Sequence, residues 1–199
     1  MTMTKVEIIS LMKAGQLELP EHTVICQEND MDYRIREIRQ EEYPILDEFL
    51  YEAIFIPDGV EAPLKSIIRQ PELQVYVSDF GKKDDCCLVA EVNGIIVGAV
   101  WTRIMNDYGH VDDTTPSFAI SLYKDFRGQG IGTVLMEEMI ALLRERGYQK
   151  ASLSVQKENY AYRLYLKVGF IVVEENEEEY IMVCDLKKAN ADSNVMKRY

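Results

Sequence analysis

Three glycines that alternate with single residues are the feature of this sequence best suited to chemistry. Gly128, Gly130 and Gly132 follow an apolar stretch at 117–123 and precede a helical pattern. Glycine lets the backbone approach a ligand closely and adopt a positive φ angle. A helix that begins at such a turn directs unpaired N–H groups and the positive end of its dipole outward. The segment therefore predicts a binding site for a phosphate or pyrophosphate group.

The spacing of these glycines does not fit the two best-known nucleotide-binding motifs. A Walker A loop needs a lysine directly after its glycines, and none is present here. A dinucleotide fingerprint has the spacing G-x-G-x-x-G, whereas Thr133 stands where its last glycine would be. That fingerprint also needs an acidic residue about 20 positions further on, where this chain has no carboxylate. The glycines alone also leave open a turn that binds no ligand.

Hydrophobic periodicity indicates the elements that hold this turn in place. Residues 117–123 are predicted as a strand that runs into it. Residues 134–146 are predicted as a helix, because apolar residues recur at helical spacing, and Gly147 suits its C-terminus. An alternating stretch at 151–156 predicts the next strand, and 160–168 a short helix.

Turn residues divide the rest of the chain into further elements. Asn93-Gly94 lies between two apolar stretches and is a strong signal for a β-hairpin. The other predicted elements are a first strand at 33–39, a helix at 40–55, a helical piece at 64–70, strands at 86–92 and 95–104, and a last hairpin at 170–174 and 179–186. We interpret residues 1–30 as a helical extension and linker, 31–188 as one domain, and 189–199 as a polar tail.

Several of these motifs occur together in an order and spacing typical of one family. They are R-G-Q-G-I-G at 127–132, the helix after it, L-S-V-Q-K-E-N-Y-A-Y-R-L-Y-L-K-V-G-F at 153–170, and the final strand pair. In combination they resemble the GNAT superfamily of N-acetyltransferases over about residues 33–186. The resemblance implies an α/β (α+β) fold with a central mixed, mostly antiparallel sheet flanked by helices.

The resemblance also implies acetyl-coenzyme A as cosubstrate, with its pyrophosphate on the amides of the glycine turn. In the family, the strand before this turn splays from its neighbour, and its free amides hold the pantetheine arm. The cofactor-binding residues implied are Leu122, Tyr123, Arg127, Gly128, Gln129, Gly130, Ile131, Gly132, Thr133 and Asn159. Asn159 lies one position nearer to the tyrosine of the short helix than in many members.

That tyrosine, Tyr165, is the candidate catalytic residue. A phenol with a pKa of about 10 is protonated at neutral pH and can give its proton to a leaving thiolate. Its alternative role is packing on a short amphipathic helix. The general base is left open among Glu91, Glu52 and a bound water, and His110 lies in a loop close to where the family binds acceptors.

Composition limits the partners of this chain. Its 199 residues carry a net charge of −12, which argues against nucleic-acid binding and favours a cationic acceptor, unless the charge serves solubility alone. No apolar run approaches the ~20 residues of a membrane span. The 4 cysteines have no metal or disulfide spacing, so a reduced, cytoplasmic setting without a metal site is expected.

The expected function is transfer of an acetyl group from acetyl-CoA to a primary amine by direct attack. The acceptor is expected to be a small molecule or a peptide, and a homodimer is left open. Two alternatives remain. One is a non-catalytic sensor that binds acetyl-CoA or CoA and regulates a partner through residues 1–30. The other is a transferase for a longer acyl group.

Overall fold

The computed structural model describes residues 23–28 and 31–187. In this part of the chain, eight strands form one sheet in the order β1-β2-β3-β4-β5-β6-β8-β7. The strands are β1 Val24–Glu28, β2 Met31–Glu37, β3 Cys86–Val92, β4 Ile95–Arg103, β5 Ser117–Leu122, β6 Lys150–Gln156, β7 Phe170–Glu175 and β8 Glu179–Asp185. All neighbouring pairs are antiparallel except β5 and β6. The sheet is therefore mixed and mostly antiparallel, as predicted.

Four α-helices and three 3₁₀ turns lie against this sheet in the described part of the chain. The helices are α1 Leu46–Ala53, α2 Pro71–Gln74, α3 Ile131–Glu145 and α4 Tyr162–Lys167, and the 3₁₀ turns are Gln40–Ile45, Lys65–Arg69 and Lys124–Phe126. The helix predicted at 40–55 is thus a 3₁₀ turn followed by α1. Pro44 lies inside the 3₁₀ turn, where it has no amide to donate to a regular α-helix.

The sheet begins earlier than the sequence predicted. Strand β1 lies within the segment interpreted as an extension, and it pairs with β2 from Val24 opposite Ile35 to Glu28 opposite Met31. Residues 1–22 of the predicted helical extension and the predicted tail at 189–199 lie outside the described residues. Their roles, and the domain boundaries drawn from them, stay predictions.

Two hydrophobic cores lie on opposite faces of the sheet. The first contains α3 and α4 and includes Cys86, and the second contains α1 and includes Cys87. Successive residues of a strand point to opposite faces, so β3 is buried on both sides. The neighbouring Cys86 and Cys87 therefore face opposite sides of the sheet.

Strands β5 and β6 are the point at which the sheet opens. They run parallel and share a single pair, Ser117 opposite Ser152, with the Ser152 amide donating to Pro116 O at 3.0 Å. Every other neighbouring pair of the sheet shares at least four opposed residues. The two strands therefore part beyond Ser117, and a gap opens between them toward the glycine turn.

Candidate functional site

The glycine turn lies at the open end of this gap, where β5 leads through the short 3₁₀ turn into α3. Gly128 and Gly130 both adopt left-handed backbone conformations, with φ angles of +74° and +84°. Gly130 is the N-cap of α3, and the Thr133 amide donates to its carbonyl at 2.9 Å. The amides ahead of Thr133 precede the first intrahelical bond and face outward. This arrangement fits the diphosphate group that the sequence predicted here.

Two polar side chains of the turn are used to hold it together. The Arg127 guanidinium donates from Nε to Leu122 O at 2.8 Å and forms an ion pair with Glu52 Oε2 of α1 at 2.8 Å. The Gln129 side-chain amide donates to Asp125 O at 2.6 Å. Arg127 thus ties the end of β5 and the turn to α1. Its predicted contact with the cofactor stays a prediction.

The register of β5 determines which backbone amides face the gap. The Tyr123 amide donates to Val97 O of β4 at 3.0 Å, so the expectation that this amide is free is wrong. In an antiparallel pair, the backbone N–H and C=O groups of successive residues point alternately toward and away from the partner strand. The amides of Leu122 and Ile120 therefore point toward the gap beside β6. Ile120 was missed from the sequence, because periodicity does not show toward which neighbouring strand an amide points.

Tyr165 lies on α4, on the face of the sheet that also carries α3. Its side chain is buried and belongs to the same core as Leu122 and Ile131. Its ring packs edge-on against Phe170, with 6.2 Å between centroids. Burial raises the pKa of the Tyr165 phenol above its ordinary value. The group therefore carries its proton at neutral pH, as a proton donor must.

The residues around Tyr165 have structural roles. Leu164 comes within 3.7 Å of the position that a Cβ on Gly132 would take, which brings α4 against the start of α3. Asn159 Oδ1 accepts a hydrogen bond from the Ala161 amide at 2.9 Å and so orders the chain that enters α4. Tyr162 stacks on Tyr180 at 4.9 Å. The cofactor contact predicted for Asn159 stays a prediction.

The two carboxylates considered as general bases are both held in ion pairs. Glu91 accepts from Arg34 at 2.6 Å and from Arg36 at 2.8 Å. Burial acts to raise the pKa of Glu91, but the hydrogen bonds from the two arginines outweigh it, and the pKa is lowered. Glu52 pairs with Arg127. Both carboxylates are thus engaged by arginines.

The loop 104–116 contributes a carboxylate that the sequence did not single out. His110 of this loop donates from Nδ1 to Met105 O at 2.9 Å and so serves the loop itself. Asp107 instead reaches β5, where it accepts a hydrogen bond from Ser117 Oγ at 2.7 Å. Ser117 is the residue at which β5 and β6 meet. This loop therefore lies at the closed end of the gap.

Comparison with known proteins identifies the family to which this arrangement belongs. The model of the Acetyltransferase (GNAT) family matches residues 33–170. The chain therefore belongs to the GNAT acetyltransferase family, a family of acyltransferase enzymes that use acetyl-CoA, as its motifs predicted. Within residues 23–28 and 31–187, no helix has the length and apolar character needed to cross a membrane.

Curated relatives share part of this chain. The probable N-acetyltransferase camello of Xenopus tropicalis is 32% identical over 104 residues, which cover 52% of this chain and 46% of the relative. The ribosomal protein bS18-alanine N-acetyltransferase of Haemophilus influenzae is 34% identical over 68 residues, covering 34% of this chain and 47% of the relative. The chain thus spans about half the length of the curated relatives that it matches.

A solved structure confirms the fold. The PaiA N-acetyltransferase of Thermoplasma acidophilum, solved in complex with coenzyme A, superposes with a TM-score of 0.59. The match covers 78% of this chain and 99% of that one, at 20% sequence identity. At this identity the similarity shows the fold alone, and it confirms the predicted sheet flanked by helices.

Proposed function

We propose that this chain transfers an acetyl group from acetyl-CoA to a primary amine by direct attack. The observation that carries the proposal is the gap between β5 and β6, which opens beyond one shared pair of residues and ends at the glycine turn. The turn offers outward-facing amides for a diphosphate. The gap offers backbone amides for an extended thioester arm. The glycine turn, as an anion site, thus directly follows the open edge of β5.

The residues of the chain act mainly by positioning the reactants. Acetyl-CoA supplies an activated acetyl group as a thioester, and its coenzyme A portion leaves as a thiolate. The amides of Ile120 and Leu122 donate to groups in the gap and polarise a carbonyl that lies there. Positioning and preformed hydrogen-bond donors supply much of the rate in such a reaction, because no covalent intermediate with the protein is needed.

Tyr165 is the proposed proton donor to the leaving thiolate. Its side chain belongs to the core that also contains Leu122. Leu122 is the last residue of β5 and lies beside the gap. The raised pKa of Tyr165 keeps the phenol protonated over the whole neutral range. A positioned acid of this kind contributes about 10²- to 10⁴-fold to a rate. Tyr165 would have only a packing role if removal of its hydroxyl left the rate of acetyl transfer unchanged.

A panel of amines tests the proposed function. We expect calorimetry to detect one acetyl-CoA site per chain, and free CoA to appear when at least one amine is added. The panel contains spermidine, a tetrapeptide with N-terminal alanine, free amino acids and an aminoglycoside. Binding of acetyl-CoA without CoA release on any amine would favour the non-catalytic sensor. Faster reaction with butyryl- or octanoyl-CoA would instead identify a longer acyl group.

A salt titration tests whether the acceptor is cationic. The tip of the β7–β8 hairpin carries Glu177 and Glu178, both exposed, on a chain with a net charge of −12. If this charge steers the acceptor, kcat/KM should fall about tenfold as salt rises from about 0.01 to 0.1 M, because the Debye length shortens from about 30 Å to about 10 Å.

Charge-neutral variants assign the salt effect to the hairpin. The double variant Glu177→Gln/Glu178→Gln should flatten the salt slope. The matched control Glu41→Gln/Glu137→Gln removes the same charge from exposed positions outside the hairpin and should leave the slope unchanged. A kcat/KM that does not depend on salt would leave the acidic hairpin with a role in solubility only.

A further inference from the structure

The loop 104–116 packs directly onto the junction of β5 and β6. An ideal Cβ on Gly109 would lie 2.7 Å from Ser117 Oγ of β5 and 2.9 Å from the backbone of Leu153 and Ser154 of β6. Only glycine allows the loop backbone to come this close. The loop therefore closes the narrow end of the gap by contact with both strands.

This contact lies on the face of the sheet opposite to Tyr165. Ser121 Oγ donates to Phe49 O of α1 at 2.6 Å, so Ser121 points toward α1. Ser117 lies four positions earlier on the same strand and shares that face. Phe118, which alternates with it, belongs to the core of α3 and α4. The proposed proton donor and the loop thus approach the gap from opposite sides of the sheet.

Two buried polar atoms beside Ser117 lack a hydrogen-bond partner of good geometry among the described residues. One is Asp107 Oδ1, the carboxylate oxygen that Ser117 does not use, and the other is Ser152 Oγ, on the residue opposite Ser117. Ser152 is fully buried. Buried polar groups are normally fully paired, so the unpaired Ser152 Oγ and the incompletely paired Asp107 carboxylate indicate a place where a polar ligand group or a water binds.

The groups that face Asp107 make its surroundings acidic and poorly solvated. Burial raises the pKa of Asp107, although hydrogen-bond interactions with Ser117, Tyr76 and the Gly109 amide oppose the rise. Burial likewise raises the pKa of Glu179 on β8, and the charges of Glu178 and Asp107 add to it. Burial and the Asp107 charge raise the pKa of Tyr76. Such a carboxylate gains free energy by taking up a proton or meeting a cation.

We propose that Asp107 is the group that takes the proton from the acceptor amine, with Glu179 completing the acidic surface that receives it. This inference rests on the proposed function. Ser117 and Ile120 are three residues apart on β5, about 10 Å along the strand. In this proposal the proton path therefore runs through water, from an amine that attacks a carbonyl held at Ile120 to the Asp107 carboxylate.

The proposed step balances in protons and electron pairs. The nitrogen lone pair forms the bond to the carbonyl carbon, and the carbon–sulfur bond breaks with its electron pair on sulfur. Before the attack, the ammonium proton of the acceptor passes through water to Asp107 and frees the nitrogen lone pair. The second proton that nitrogen loses, after the attack, goes to solvent, and the thiolate takes a proton from Tyr165. Exchange with solvent returns Asp107 to its charged form and Tyr165 to its protonated form. Each face of the sheet thus supplies one proton-transfer group.

The variant Asp107→Asn tests this assignment with the best acceptor from spermidine and the alanyl tetrapeptide. Asparagine keeps the shape and can still accept the Ser117 hydrogen bond, but it cannot take a proton. We expect kcat/KM at pH 7 to fall by about 10²-fold or more, with acetyl-CoA affinity unchanged. The loss should shrink tenfold per pH unit toward the pKa of the acceptor, because the amine then loses its proton to solvent. The control Asp113→Asn alters a 98% exposed carboxylate of the same loop and should behave as wild type.

Three results would overturn the assignment. The first is an Asp107→Asn variant with wild-type kcat/KM when chemistry limits the rate, and the second is a loss of equal size at every pH, which marks a purely structural role. If Asp107→Asn does not fold, the variant Ser117→Ala provides the test of the assignment. Removing the Ser117 hydrogen bond should raise the Asp107 pKa and move the acidic limb of the kcat/KM profile to higher pH. An acidic limb that stays at the wild-type pH is the third result that would overturn the assignment. Failure of the wild type to acetylate any amine would instead refute the proposed function itself.

Discussion

Replacing Tyr165 with phenylalanine is expected to lower kcat by about 10²-fold or more while acetyl-CoA affinity stays close to that of the wild type. The variant removes only the hydroxyl, and the ring keeps its edge-on contact with Phe170. The thiolate would then leave without a positioned proton donor, and general acids of this kind contribute at least this factor. Single-turnover kinetics, which isolate the chemical step, provide the measurement.

The pH dependence and a matched variant distinguish catalysis from packing. Because burial raises the Tyr165 pKa, the wild type should keep its activity above pH 10 as far as this group is concerned, and the phenylalanine variant should be slow at every neutral pH. Tyr162→Phe removes a hydroxyl from the same helix, where the ring stacks on Tyr180, and should change kcat little. An unchanged single-turnover rate in Tyr165→Phe would return this residue to a packing role.

The variant Gly130→Phe is expected to abolish acetyl-CoA binding without unfolding the protein. Gly130 has a φ angle of +84° and caps α3, so a large side chain there both strains the turn and covers the amides in front of the helix. Calorimetry should show at least a 10²-fold loss of affinity. Circular dichroism should show an intact fold, because the strain costs about 1–2 kcal/mol.

Gly147 provides a control for the backbone strain itself. It has a φ angle of +85° and lies at the other end of α3, with no atom within 4 Å of the position a Cβ would take. Gly147→Phe should therefore cost similar stability and leave acetyl-CoA affinity intact. If Gly130→Phe bound acetyl-CoA as tightly as the wild type, the glycine turn would not be the diphosphate site.

The elements that the sequence predicted well are those defined by local signals. Asn93 and Gly94 adopt φ angles of +51° and +83°, the positive values that the β3–β4 hairpin requires. An Asn-Gly dipeptide predicts such values from the sequence. Helix α3 follows from its apolar periodicity and its two glycine ends. Strand β1 was missed because its pairing with β2 is a tertiary property, and five residues carry too little periodicity to reveal it.

The candidate site was predictable only in its cofactor half. The glycine turn and Tyr165 belong to motifs that neighbours in the sequence define. Asp107 stands in a polar loop, Asn106-Asp-Tyr-Gly109, that reads as an ordinary turn. Its burial depends on Ser117 and on the close approach of Gly109 to β6, which the folded chain alone brings about. The free amide at Ile120 depends on strand register in the same way.

The single shared pair between β5 and β6 divides the sheet into two halves that carry different parts of the proposed reaction. Strands β1–β5 hold the glycine turn, and β6, β7 and β8 with α4 hold Tyr165. Phe118 of the first half packs edge-on against Phe170 of the second at 5.5 Å, and Phe170 contacts Tyr165.

Alignment of the proposed proton donor with the scissile bond therefore depends on side-chain packing across this junction, including the contact between Phe118 and Phe170, more than on backbone pairing. Interiors are close-packed, so a change in the volume of Phe118 displaces one half of the sheet against the other. Substitutions at such positions would alter turnover from a distance, with no contact to either substrate. Core substitutions that change the stability of this fold would therefore also change the rate of the proposed reaction, so the two properties are selected together.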